Sequence, residues 1–284
     1  MKTQGVNLST INVSALFNPS LFGKYRWVRD VPDSRDHIYQ LAPLTVTPAR
    51  VDLRNYASPI EDQGNLGSCT GNAIAGQIEL INRKTKPANN FDISRLFIYY
   101  QERVIEGSVR YDAGAYIRDG IKACYTYGAP KETLWPYIEN KFATKPPTTA
   151  YNDALNRKVT GYQKCTNFAA VKNALAAGNP VTIGFDVYAS FEDVWGNIRH
   201  GQAGSGMMPF PNKNTEQLLG GHAVCIVGYD DSLPVAGQPN GRFIVRNSWG
   251  TSWGDNGYFY MPYGVIQDTS MSSDFWTISA VHNP

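Results

Sequence analysis

Apolar residues recur along the first half of the chain at helical spacing. Ile74, Ile78 and Ile81 fall at i, i+4 and i+7 behind Cys69, and Ile117, Ile121 and Cys124 repeat that pattern until Gly128. Between them Leu96, Phe97 and Tyr100 share a face behind Ser94 or Asp92, either of which can cap a helix start. A further helix is expected from Phe168 to Ala177, bearing Val171 and Leu175. The period then changes. Val181-Thr182-Ile183-Gly184-Phe185-Asp186-Val187 alternates, its odd positions sharing one face of a strand. Ala223 to Tyr229, Arg242 to Arg246 and Gly257 to Met261 also read as strands, and Pro234, Gly237, Pro239 and Gly241 mark a reversing loop. Residues 129–159, with Pro130, Pro136 and Lys145-Pro146-Pro147, read as an irregular crossing, and 201–214 as a long loop. Helices early and strands late predict an α+β fold of two segregated lobes with a cleft between them.

Residues 1–50 break this order. Pro19, Pro32, Pro43 and Pro48 interrupt every candidate helix, yet Phe17, Phe22, Tyr25, Trp27 and Tyr39 are too many aromatic groups for a solvated tail. The segment is expected to lie as an arm across the body formed by residues 51–284.

Composition narrows the function classes. Apolar content of 42% and charged content of 18% suit an ordinary globular core, and 26 basic against 24 acidic residues leave a net charge of +2. That balance, without a basic run, gives no reason to expect a nucleic-acid partner. No stretch approaches membrane-spanning length, no signal-peptide pattern opens the chain, and a soluble protein is expected, cytoplasmic or secreted, most simply a monomer. Cys69, Cys124, Cys165 and Cys225 form no close metal-binding cluster, and no glycine-rich phosphate motif with its lysine is present, so no metal or cofactor is expected. Cys124 and Cys225 sit on apolar patterns that suit buried thiols.

Cys69 is different. Gln63-Gly64-Asn65-Leu66-Gly67-Ser68 brings it to a helix start, where the backbone dipole favours a thiolate, and the glycines and polar approach argue against burial. Of four histidines, His222 alone opens an apolar strand, directly after Gly220-Gly221. Asn247, at the end of Arg242–Arg246 and ahead of Ser248-Trp249-Gly250, offers a carbonyl that can orient an imidazole. Gln63 and the Cys69 backbone N–H supply donors for an oxyanion.

These blocks resemble the papain-like cysteine peptidases, the family of papain and the cathepsins. Gln63-Gly64…Gly67-Ser68-Cys69 is similar to the nucleophile motif, Gly221-His222-Ala223 to the histidine block, and Asn247-Ser248-Trp249-Gly250 with Trp253-Gly254 to the asparagine block. The order Cys, His, Asn and the intervals of 153 and 25 residues suit the family, and the resemblance spans about residues 50 to 280. It implies a helical lobe (mainly 69–150), an antiparallel, barrel-like β lobe (mainly 160–284), and hydrolysis of peptide bonds through a thioester. In that reading Cys69 is nucleophile, His222 base then acid, Asn247 its orienter, Gln63 an oxyanion donor, and Trp249 the shield of the histidine–asparagine bond. Gly114 would contact the substrate backbone, while Tyr116 and Gly221 would shape a pocket for an apolar or aromatic group two residues before the cleaved bond.

Two departures mark a disulfide-poor relative, like the bacterial members with a short N-terminal region. Thr70 stands where the best-known members have tryptophan, and Leu66 where many have a cysteine bridged to the region near 111–113. The arm is too short and irregular for a helical propeptide; part of residues 10–30 is expected to pack in or near the cleft and restrain access. An aminopeptidase or transpeptidase on the same scaffold is the second reading, and a silent peptide-binding protein a third.

Overall fold

In the computed structural model, residues 23–40, 47–88, 91–193 and 206–282 are described. Helix α1 (Cys69–Thr85) is the axis of the molecule. Burial goes well beyond its isoleucine stripe, because every residue from Cys69 to Asn82 is buried. The helix lies between the other helices and a sheet, so its polar side chains need partners inside. Gln77 donates to the carbonyls of Pro180 and Trp276 and accepts from Thr182, while Glu79 accepts from the Ile93 N–H and the Ser58 hydroxyl.

Helix α2 (Arg95–Glu106) starts at Ser94, whose hydroxyl accepts the Phe97 N–H, and stops at Gly107 in the left-handed conformation. Helix α3 (Ile117–Thr126) buries Ile117, Ile121 and Cys124 as the periodicity predicts. Helix α4 (Thr148–Ala154) falls where the sequence pattern predicts only an irregular crossing. Its string of Thr, Tyr, Asn and Asp has little propensity or periodicity, and burial of Ala150 and Ala154 in one cluster with Phe97 and Trp135 holds it instead. Helix α5 (Phe168–Ala176) follows the expected bounds, capped by Asn167.

The sheet is antiparallel and runs β4 (Val159–Cys165), β9 (Ser272–Val281), β5 (Val181–Tyr188), β6 (Leu218–Asp230), β7 (Arg242–Arg246), β8 (Tyr258–Pro262), with β2 (Arg50–Asp52) also on β6. Among the described residues its ends do not meet. Strand β5 does not alternate: all but Asp186 is buried, because it is central and covered on both faces. Strand β6 starts at Leu218, ahead of the expected Ala223. Gly220 and Gly221, which resemble strand breakers in the sequence, pair with Val187 and Asp186 and belong to the ladder. Strands β4 and β9 escape the sequence pattern altogether. The outer positions of β4 are polar and mask any alternation, and the two strands pair with each other at one end of the sheet.

The arm does more than cross the surface. Strand β1 (Trp27–Val28) pairs in parallel with β3 (Ala115–Tyr116), Arg26 bridges to Gly221, and Tyr25 and Trp27 are buried. Residues 1–22, 41–46 and 194–205 lie outside the described residues, and with them the first part of the expected cleft-covering stretch and of the long loop. The four cysteines are free and buried, and no described helix is long and apolar enough to cross a membrane.

Candidate active site

Cys69 opens α1, and the loop before it is pinned from three sides. The Gly67 N–H donates to the Asp112 carboxylate (3.1 Å), the Ser68 hydroxyl meets Tyr137 (2.6 Å), and Asn72 donates to the Ser68 carbonyl (2.9 Å). Thr70 turns inward and donates to the fully buried Glu102 (2.7 Å).

The sequence pattern favours an open Cys69, and the structure buries it. Both Cys69 and His222 have 0% exposure. The backbone N–H groups of Ala223, Arg26 and Thr70 favour the thiolate, yet burial outweighs them and pushes the thiol up to about 11. Desolvation therefore overcomes the expected pull of the helix dipole.

His222 lies on β6 opposite Phe185. Its Nε2 is 2.8 Å from Asn247 Oδ1. A carbonyl oxygen only accepts, so Nε2 carries the proton and Nδ1 keeps its lone pair. Nδ1 has no hydrogen-bond partner among the described residues. The Trp249 ring stacks on the imidazole at 4.8 Å and 26°, and Tyr25 approaches edge-on at 5.9 Å. Burial lowers the imidazole to about 4, with Lys24 adding to the effect and the Asn247 bond opposing it. Asn247 is set by its own N–H on the Gly257 carbonyl (3.0 Å).

Gln63 is buried beside them. Its Oε1 accepts the Ser248 hydroxyl (2.7 Å), which leaves Nε2 aimed at the Leu66 carbonyl (2.9 Å) and the Lys24 carbonyl of the arm (3.4 Å). Ser248 stands in the asparagine block, but its part in holding Gln63 cannot be read from that block. Glu102 under Thr70 and Tyr25 against His222 are equally hidden, because each contact joins segments far apart in the chain.

The remaining sequence candidates meet the arm. A side chain at Gly114 would strike the Arg26 carbonyl, and one at Gly184 or Gly221 would strike the Trp27 indole. Tyr116 pairs with Val28. Lys24 Nζ lies 5.3 Å from the centre of the Trp249 ring. Among the described residues, Glu61, Glu79 and Asp92 offer carboxylate oxygens within 4.8 Å of one another. Arg95, Arg83, Ser58 and the Ile93 N–H already engage them, which makes the group an ion-pair and hydrogen-bond network.

Known proteins share this arrangement of chain. Residues 47–277 match the family described as papain family cysteine protease. An uncharacterized peptidase C1-like protein of Acanthamoeba polyphaga mimivirus is 42% identical over 92% of this chain and 88% of its own length. Cathepsin K of Gallus gallus is 28% identical over 80% of this chain and 62% of its own, so that relative is matched over less than two thirds of its length. Among solved structures, xylellain, a cysteine protease from Xylella fastidiosa, superimposes with a TM-score of 0.80 at 38% identity, covering 91% of this chain and 97% of the other. The chain belongs to the papain family of cysteine proteases.

Proposed function

We propose that this peptidase is an endopeptidase in which Cys69, His222, Asn247 and Gln63 do the chemistry. His222 Nδ1 takes the Cys69 proton as the sulfur attacks the peptide carbonyl carbon. Gln63 Nε2 and the Cys69 N–H receive the oxyanion, and the imidazolium returns the proton to the departing amine. Water, activated by the same nitrogen, then hydrolyses the thioester. The observation that carries the reading is the buried His222–Asn247 bond at 2.8 Å, because it fixes the tautomer with the basic nitrogen left over.

The buried arm supports a second element of the proposal: residues 24–28 restrain access to the site. A neutral thiol beside a neutral, desolvated imidazole is a resting arrangement, and withdrawing the arm would rehydrate both groups and favour the ion pair. Trp27, seated against Gly184 and Gly221, supports an apolar or aromatic preference in that pocket.

The test is hydrolysis of fluorogenic peptides under reducing conditions, with peptides blocked at both ends to read endo action. Wild-type turnover and none in Cys69→Ala is expected; turnover that survives the substitution contradicts the nucleophile assignment. Cleavage confined to peptides with a free amino terminus would favour the aminopeptidase reading.

A further inference from the structure

Just beyond the cleft-covering stretch, the arm enters a cluster whose charges do not balance. Asp36, 5% exposed at its side chain, receives Arg118 Nη2 (2.9 Å) from α3 and Lys164 Nζ (3.1 Å) from β4, which commits both cations. Asp30 is left with neutral donors: the Arg118 backbone N–H (3.3 Å) at the start of α3 and the Trp276 indole (2.8 Å) on β9. Its own N–H donates to Asp274 Oδ2 on β9 (2.8 Å), which brings a buried and a half-buried carboxyl group into one place. Arg118 and Lys164 reach the pair only through space, drawing on Asp30 and Asp274 respectively. The other charged groups nearby give no relief. Glu106 of α2 is no cation either and is itself pushed up to about 7, by burial first and with Asp30 adding to it. Lys122 and Arg35 serve Asp33, and Arg29 is turned to Asp186 and the Thr269 and Ser270 carbonyls.

We infer that docking of the arm takes up a proton on the Asp30–Asp274 pair, so that the cleft is held closed in acid and opens as pH rises. This rests on the reading of residues 24–28 as a restraint. Two like charges in low dielectric cannot both ionise cheaply. Burial first and Asp274 second push Asp30 up to about 7, against the indole and Arg118; burial also raises Asp274. Freed into water, Asp30 returns towards its ordinary value of 3.8. The sign follows: docking is strongest below about 4, weakens from there to about 7, and is level above. One linked proton makes the opening constant rise roughly tenfold per pH unit inside that window.

The movement need not free the whole arm. His37 and Tyr39 exchange backbone bonds with Lys164 (2.7 and 2.9 Å), and Asp36 stays with its two cations, so the turn closed by Asp36 N–H on Asp33 (3.1 Å) is the pivot.

Hydrogen exchange of the full-length chain, read by mass spectrometry on peptides covering residues 24–31, tests the inference. The Cys69→Ala background prevents self-cleavage, and rates are corrected for intrinsic exchange from about pH 4.5 to about 8. The opening constant should climb about tenfold per unit and level near pH 7. Asp30→Asn should flatten the profile with the arm still docked at about pH 8. Asp274→Asn, the second variant should the first fail to fold, leaves the burial of Asp30 but removes its charged neighbour, so the profile should level at a lower pH; Asp274 has φ 58, a conformation asparagine tolerates. A flat or falling profile in the parent, or a profile unchanged in both slope and levelling point in a folded asparagine variant, overturns the inference. Exchange needs no turnover, so loss of the latch and loss of the proposed chemistry are separate results.

Discussion

At Gln63 a single amide is held for use by its neighbour. The Ser248 hydroxyl occupies Oε1, so the amide cannot flip without losing that bond, and Nε2 stays on the Leu66 and Lys24 carbonyls. Gln63→Ala should therefore lower kcat by about 10²–10³, worth roughly 2.7–4 kcal/mol, with KM little changed. Steady-state kinetics on one peptide checks this; a loss confined to KM would assign Gln63 to ground-state binding instead. The catalytic candidates are legible in the sequence because each stands in a short local block: a cysteine at a helix start, a histidine on an apolar strand, an asparagine at a strand end. What holds them is not legible. Glu102 beneath Thr70 and Ser248 beside Gln63 act through contacts between distant segments, and the burial of Tyr25 against His222 joins the arm to a strand far downstream.

At the scale of elements, the proposed restraint by the arm makes a prediction of its own. Trp27 fills the space that Gly184 and Gly221 leave open, and truncating a buried indole removes about 3–5 kcal/mol of packing. Trp27→Ala should raise kcat/KM of the full chain towards small peptides by about tenfold or more, at unchanged circular dichroism; equal kinetics would make the arm a structural strap. The aromatic content of residues 23–40 calls for a groove without saying which one. Helices with clean periodicity, such as α1 and α3, are legible in type and position. Helix α4 and strands β4 and β9 are not, since they are held by neighbours rather than by their own pattern.

For the whole molecule, the buried acids tie stability to pH. Glu79 is fully buried in α1, and desolvation raises it to about 7 against Arg246 and its hydrogen bonds. A raised carboxyl contributes stability that is complete below its unfolded value of 4.5 and is lost as pH rises through about 7. The melting temperature should fall between about pH 5 and about pH 8, and Glu79→Gln should flatten that fall by an amount on the order of 3 kcal/mol. Calorimetry across this range reads it; a melting temperature that rises with pH, or an equal fall in the variant, would contradict it. The division into helices and an antiparallel sheet is legible from the change of period near residue 180. The placing of α1 between them is not, because its polar residues Gln77, Glu79 and Asn82 are buried although the periodicity marks only the isoleucine stripe.

The most direct test of a covered nucleophile is the mapping of iodoacetamide adducts by mass spectrometry on the full chain and on Trp27→Ala. All four thiols are buried, so packing alone gives no reason for one to react first. Modification is expected at Cys69 ahead of Cys124, Cys165 and Cys225, and faster at Cys69 in Trp27→Ala than in the parent. Labelling spread evenly over the four, or a Cys69 rate indifferent to the arm, would contradict a nucleophile held under residues 24–28.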